Sequence, residues 1–346
     1  MRKIHNFAGK TTLNPINNMN KKLKMMAWTA SVMLVLSMVF AACNNKKSKS
    51  EADDEDEEDT ELAEDLEDED EDENEDNTID VRTARELILA LKSDVHINVI
   101  VNDVLRMTDA IDDLIDEGKL KRYTVDGERQ TKPGVYWDPE YDGNTLFIVG
   151  MKNITLEATP EDGGFLLAIP RYADVLHFEN CKNIVIKNFT LGHEETGNCI
   201  GDVLVINDCE NVVVEDCHLF GCGVNGIYSS GSSTVTVRKT DIYGCSDRGV
   251  DMYGSDNFVF DRCEIFNNGS GIYVDQYCTN ISFNHCKFQD IKGQMFLCYA
   301  PVEIRNSKIE HHHDDMAENV NFVSCDVVMD YSQAEVYPDI EDDGEY

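Results

Sequence analysis

Residues 212–219 read Val212-Val213-Val214-Glu215-Asp216-Cys217-His218-Leu219. Reduced to apolar-x-apolar-x-x-small-x-apolar, the stretch returns at Val235–Ile242, Phe258–Ile265 and Ile281–Phe288. It also occurs earlier, at Ile184–Leu191, and later, at Val302–Ile309 and Val320–Val327. The first positions lie 28, 23, 23, 23, 21 and 18 residues apart, and a weaker copy begins at Ile154. A unit this short leaves no room for a helix between copies. It cannot bury its apolar side alone, so the copies must stack.

Each copy has a further strand-like run ahead of the motif: Val175–Phe178, Val203–Ile206, Gly226–Tyr228, Gly249–Met252 and Gly271–Val274. The motif itself holds two short strands separated by the small residue. Three strands per turn, stacked at about 4.8 Å, make a solenoid in which every motif position becomes a column. A leucine-rich repeat is the rival solenoid, and it calls for a leucine ladder and an asparagine column, both read as absent.

The pattern resembles the right-handed parallel β-helix of the pectate-lyase-like superfamily over roughly residues 79–330. The expected fold class is therefore all-β, a right-handed parallel β-helix solenoid with an N-terminal capping helix. Thr83-Ala84-Arg85-Glu86 fits a capping box, and Leu87, Ile88 and Leu91 give the helix at 83–92 an apolar side. A second helix is expected over Val104–Asp116, stopped by Gly118. A strand is expected at Val135–Trp137, after the Pro133-Gly134 turn.

Twelve cysteines fall largely into columns. Cys217, Cys263, Cys286 and Cys325 share one with Phe189, Thr240 and Ser307. Cys181, Cys209 and Cys278 share another with Ser232 and Ser255, and Cys222 and Cys245 share a third. Free exchange of Cys with Ser and Thr asks for a small, weakly polar, inward residue. Stacked neighbours sit at the rung spacing, longer than a disulfide prefers, so buried thiols are favoured over a staple.

The strand ahead of each motif has two outward columns. One reads His177, Val205, Tyr228, Asp251, Tyr273; the other reads Glu179, Asn207, Ser230, Tyr253, Asp275. Tyrosines beside carboxylates suit a sugar chain lying along the solenoid, the rings stacking and the acids taking hydroxyls. The resemblance implies that this sheet forms the substrate groove. The bland alternative is an ordinary solvated sheet. Two loops flank the strand, His193-Glu194-Glu195-Thr196-Gly197 and Ser246-Asp247-Arg248-Gly249.

Candidate ligand-binding residues are thus His177, Tyr228, Tyr253, Tyr273, His193, Glu194 and Asp247. The catalytic candidates are Asp251, Asp275 and Arg248. In the aligned register Asp251 and Asp275 would stand about 8 Å apart, compatible with an inverting hydrolase. Arg248 with Asp247 and Asp251 would instead suit a calcium-assisted lyase, calcium being the one cofactor considered. The Asn-Thr-Asp, Asp-Asp and Gly-His-Gly motifs of polygalacturonases are missing, as is a lyase-like trio of carboxylates. Two functions remain: non-catalytic binding of a polysaccharide or surface glycan, or adhesion; and a polysaccharide lyase or glycoside hydrolase. His311-His312-His313 reads as a polar turn, not a metal site, because consecutive side chains cannot face one ion.

The chain has 346 residues, with 67 Asp+Glu against 30 Lys+Arg and a formal net charge of −37. That balance excludes a nucleic-acid partner, which needs clustered Lys and Arg. Lys21, Lys22 and Lys24 precede the apolar run Ala27–Ala42, which is too short for an ordinary span and reads as an export signal. Its end, Phe40-Ala41-Ala42-Cys43, resembles the lipobox of bacterial lipoproteins, which implies lipidation at Cys43. Asn44, in place of Asp, implies outer-membrane anchoring, and the acidic run Glu51–Asp76 after it resembles tracts that direct surface display. The expected organisation is a signal at 1–43, an acidic tether at 44–78, the β-helix at 79–332 and an acidic tail at 333–346. Cys43→Ala should abolish incorporation of radiolabelled fatty acid and release the protein from the membrane fraction. A mutant that still pellets with membranes would exclude the lipobox.

Overall fold

The computed structural model describes residues 77–140, 143–159, 164–168, 173–193, 200–221, 223–310 and 319–328. Cys43, the acidic run, Glu194, Cys222, the triple histidine and the tail at 333–346 lie outside these residues.

The motif's apolar positions drive the architecture. Ile154, Ile184, Val212, Val235, Phe258, Ile281, Val302 and Val320 pair in one parallel register, one coil after another. They belong to a ten-stranded sheet that runs from Thr78–Val81 to Val320–Val323. The second half of each motif builds a nine-stranded sheet from Val104–Arg106 to Asp326–Val328. The strand ahead of the motif builds a third sheet, also of nine strands, with Leu176–Glu179, Leu204–Asn207, Ile227–Ser230, Arg248–Tyr253 and Ser270–Val274 at its centre. The coils thus wind three sheets, parallel except for the pair Gly134–Glu140 and Gly143–Val149 in the third, around one continuous core. Inside, Phe260 stacks on Phe283 at 4.3 Å, and Phe288, Phe296 and Phe322 continue the aromatic column.

The corners explain the cysteine columns. The Cys209 N–H donates to Ser232 Oγ of the next coil (3.0 Å), and Ser232 Oγ donates to Ile206 O (2.8 Å). Asn268 does the same for the coil before it, accepting from Cys245 N–H at 2.9 Å and donating to Ile242 O at 3.1 Å. Cys286 N–H donates to Ser307 Oγ, and Cys181 N–H to Cys209 Sγ. One side chain therefore reaches back one coil, accepts from a corner N–H and, at Ser232 and Asn268, also donates to a carbonyl of the neighbouring strand. A thiol, hydroxyl or amide all serve, hence the exchange among Cys, Ser, Thr and Asn. No disulfide forms among the described cysteines.

Several expectations are corrected. Val104–Arg106 is a strand, and the second helix spans only Met107–Asp116, because Leu105 is drawn into the second sheet beside Leu166. The first helix spans Ala84–Ala90; its Thr83 Oγ1 accepts from Glu86 N–H and its Leu87 and Ile88 are buried in the core. The strand at 135–137 runs from Gly134 to Glu140, pairing antiparallel with Gly143–Val149. The asparagine column attributed to the rival solenoid is present here: Asn183, Asn211, Asn257 and Asn280 stack with Thr234 at φ of 55–59°. Asn tolerates this left-handed corner better than most residues.

Asn268→Leu keeps the volume and strips the bonds from Cys245 N–H and to Ile242 O in a buried corner. It should lower unfolding free energy by about 2–4 kcal/mol in a urea titration. A change below about 0.5 kcal/mol would remove the corner bonds from the account of stability.

Candidate functional site

On the outward side of the third sheet, His177, Val205, Tyr228, Asp251 and Tyr273 pair coil by coil in the anticipated column. Beside it, Glu179, Asn207, Ser230 and Tyr253 form the second column. Glycines precede the central strands because the coils approach closely there. A Cβ on Gly226 would lie 2.2 Å from Ile242 Cγ2, and one on Gly271 would lie 2.2 Å from Met295 O. These contacts fix the strand start, and with it the side of the sheet to which Tyr228 and Tyr273, two residues on, belong.

Asp275 does not extend the second column. The strand ends at Val274, and Asp275 Oδ1 accepts N–H bonds from Gly254, Tyr277 and Cys278 at 2.9–3.1 Å. Burial opposes its charge, but these donors outweigh burial and hold the carboxyl below its ordinary range. The side chain closes a turn, with Oδ1 committed to these three N–H groups.

Asp251 is not a solvated sheet residue. It is 3% exposed, with Oδ2 at 3.1 Å from Arg248 Nη1 and facing Tyr253 Oη at 3.5 Å. Its Oδ1 is buried without a partner. Burial pushes its carboxyl up, and the neighbouring Arg248 only partly offsets this. Arg248 Nη1 also lies 3.1 Å from Asp247 Oδ2, and its guanidinium stands 5.0 Å over the Tyr273 ring. The tyrosines form one chain: Tyr228 to Tyr253 at 5.7 Å, Tyr253 to Tyr273 at 5.2 Å, and Tyr273 to Tyr299 at 5.9 Å.

A third column escaped the sequence reading. Asp174, Asp202, Asn225, Arg248 and Ser270 each stand three residues before a member of the His177 column, on successive coils. Asp174 Oδ1 accepts from Asp202 N–H at 2.8 Å. Asp202 Oδ1 in turn accepts from both nitrogens of Asn225 at 3.0 Å. Burial raises the Asp202 carboxyl well above its usual range, and the charges of Asp174 and Asp251 add to the effect. Tyr228 is raised by burial and, less, by the charges of Asp251 and Asp202. The same three-residue offset applied to every coil would have revealed the column.

At the N-terminal end the face is walled. His177 Nδ1 lies 2.8 Å from Asp174 Oδ2, and its Nε2 3.6 Å from Glu179 Oε2. Phe147 packs on the His177 ring at 4.4 Å, and Tyr123 stacks on Phe147 at 4.3 Å. Arg129, from the hairpin strand Glu128–Arg129, reaches Glu179 at 3.3 Å. His177 is thus part of the wall and is buried. His193 sits in the second sheet, 3% exposed, with Nε2 at 2.8 Å from Ala173 O, Nδ1 unpartnered and its pKa lowered by burial. Among the described residues no three His, Cys, Asp or Glu side chains are grouped as metal ligands.

Residues 174–338 match the family described as "Right handed beta helix region". With the three sheets, this makes the solenoid a right-handed parallel β-helix. No curated protein matches the sequence. Among solved structures, a pectate lyase from Paenibacillus sp. 0602 is similar at 11% identity and a TM-score of 0.44, covering 74% of this chain and 78% of that one. An alginate lyase from Paenibacillus sp. str. FPU-7 is similar at 13% identity and a TM-score of 0.43, covering 72% and 86%. At these identities the likeness is one of fold.

His177 carries a pH signature. Burial disfavours its charge, but the hydrogen bonds and charges of Asp174 and Glu179 prevail and raise its pKa to about 9. A raised folded-state pKa contributes stability fully below the unfolded value near 6.5, and loses it as pH climbs through about 9. The wild-type minus His177→Gln difference in unfolding free energy should therefore shrink by about 3 kcal/mol between about pH 6 and about pH 9.5. Urea titrations along that range measure it, and a flat difference would exclude a charged His177.

Proposed function

We propose that the outward side of the third sheet binds a polysaccharide, on a protein held at the outer membrane by a lipid at Cys43 and displayed from the acidic segment. The observation that carries this is the run of rings Tyr228–Tyr253–Tyr273–Tyr299, spaced at 5.7, 5.2 and 5.9 Å. Successive rings come from successive coils. The run therefore climbs the solenoid at about 4.8 Å per step, close to the length of one sugar unit. Tyrosine serves such a ligand twice, stacking its face on C–H groups and offering its hydroxyl at the edge. Asp251 supplies an acceptor beside the rings, facing Tyr253 Oη at 3.5 Å.

The second reading is a glycoside hydrolase. Its support is the pair Asp202 and Asp251, both raised by burial, the direction a general acid requires. Both carboxylates are already engaged with the protein's own groups, Asp202 with Asn225 and Asp251 with Arg248, which favours binding without turnover.

A glycan array followed by titration tests the face. Tyr228→Ala or Tyr273→Ala should weaken the best ligand by about 1–3 kcal/mol and leave circular dichroism unchanged. Undiminished affinity in both would move the function off this sheet. Reducing-sugar and unsaturated-uronide assays on the same ligand decide turnover. Product that disappears in Asp251→Asn, with binding kept, would establish the hydrolase in place of the binding module.

A further inference from the structure

We infer that the polysaccharide is one that carries protonated amino groups, not a polyuronate; this rests on the glycan-face reading above. The face has already been solved once for a cation, by the chain's own Arg248. The guanidinium lies 3.1 Å from Asp247 Oδ2, 3.1 Å from Asp251 Oδ2 and 5.0 Å over the Tyr273 ring. Two carboxylates and an aromatic face are what an ammonium group needs when it leaves water. With Asp247 and Asp251 both on it, the charge of Arg248 is offset and it offers a uronate little attraction.

The unpartnered atoms point the same way. Asp251 Oδ1 and Asn225 Oδ1 are buried on this face without hydrogen-bond partners, in residues each 3% exposed. The orientation of Asn225 is fixed, since its Nδ2 donates to Asp202 Oδ1 at 3.0 Å. Both atoms are acceptors, so the missing partners are donors. A sugar hydroxyl or an ammonium can supply them and a carboxylate cannot, and the acid groups around Arg248 favour the ammonium. The surroundings add Asp174, Asp202 and Glu179, against Arg248, His177 and Arg129, each held by a carboxylate. On a chain of net charge −37, a polyanion is repelled long before contact.

The test titrates the full chain, by calorimetry near neutral pH, with three oligosaccharides of equal length: chitosan, its fully N-acetylated counterpart, and oligogalacturonate. Chitosan should bind at least about tenfold tighter than the N-acetylated oligomer, and oligogalacturonate should not compete. Because Glu51–Asp76 would attract any polycation, the site variants Asp247→Asn and Tyr253→Ala, which keep that segment, are titrated beside the wild type. Each should lose most of the preference for the amine. A preference unchanged in both variants would assign it to the acidic segment and overturn the inference. Equal or tighter binding of the N-acetylated or galacturonate oligomer would also overturn it, while leaving the glycan face standing. Binding of none of the three, with none found on the array either, would remove the glycan face itself.

Discussion

Every coil of this solenoid turns corners around one continuous apolar core, and a corner takes a backbone N–H out of the strand ladders. The answer is local and repeated: a short polar side chain from the following coil accepts from that N–H. Ser232 does so for Cys209 N–H and donates to Ile206 O, and Asn268 does so for Cys245 N–H and donates to Ile242 O. An unpaired amide at any of these points would cost about 1–3 kcal/mol, and the corners recur on every coil. The bridges also lock register. A coil that slipped by one residue would carry its corner side chain to the outer surface and lose both bonds at once.

Locked register turns the outer surface into a ruled grid. Positions on the third sheet repeat at the rung spacing because the corners do, so a tyrosine on each of several successive coils becomes a continuous run. The run alternates between two columns, Tyr228 and Tyr273 in one, Tyr253 in the other. That alternation leaves Asp251 between rings, where it is covered and loses water. The carboxyl's raised pKa and its bond to Arg248 both follow from the cover. Electrostatics on this face is thus a consequence of aromatic packing, which is itself a consequence of the corner bonds.

The repeat was legible because inward positions must be apolar in every copy, and a constraint imposed seven times shows in one sequence. The His177–Val205–Tyr228–Asp251–Tyr273 column followed from it without adjustment. What was hidden depended on departures from the repeat. Asp275 sits in a coil with one extra residue, and whether it stays on the strand or closes a turn is settled by three backbone N–H groups, which leave no trace in composition. The wall of Tyr123, Arg129 and Phe147 comes from the non-repeating stretch before the regular coils, where no alignment of copies can place a side chain. The burial of Asp251 was missed for another reason. An outward position on a sheet was equated with exposure, whereas neighbouring tyrosines are large enough to roof over a carboxylate between them.

The thiols fit the same logic. The Cys181 N–H donates to Cys209 Sγ at 3.4 Å, while the thiols of Cys181 and Cys209 donate to carbonyls of Ile148 and Asn207. A disulfide between these two would remove both S–H donors and pull the acceptor sulfur away from the Cys181 N–H, leaving buried backbone groups unpaired at two corners. It would also ask stacked side chains, held near the rung spacing by their own ladders, to close to the shorter Cβ separation of a disulfide. Cross-linking gains least where both chain segments are already fixed by continuous ladders on either side, and here it would break the bonds that fix them. Cysteine occupies these corners as a compact, weakly polar bridge. Its larger, softer sulfur fills the barrel better than a hydroxyl, and the corner keeps its chemistry only while the thiol stays reduced.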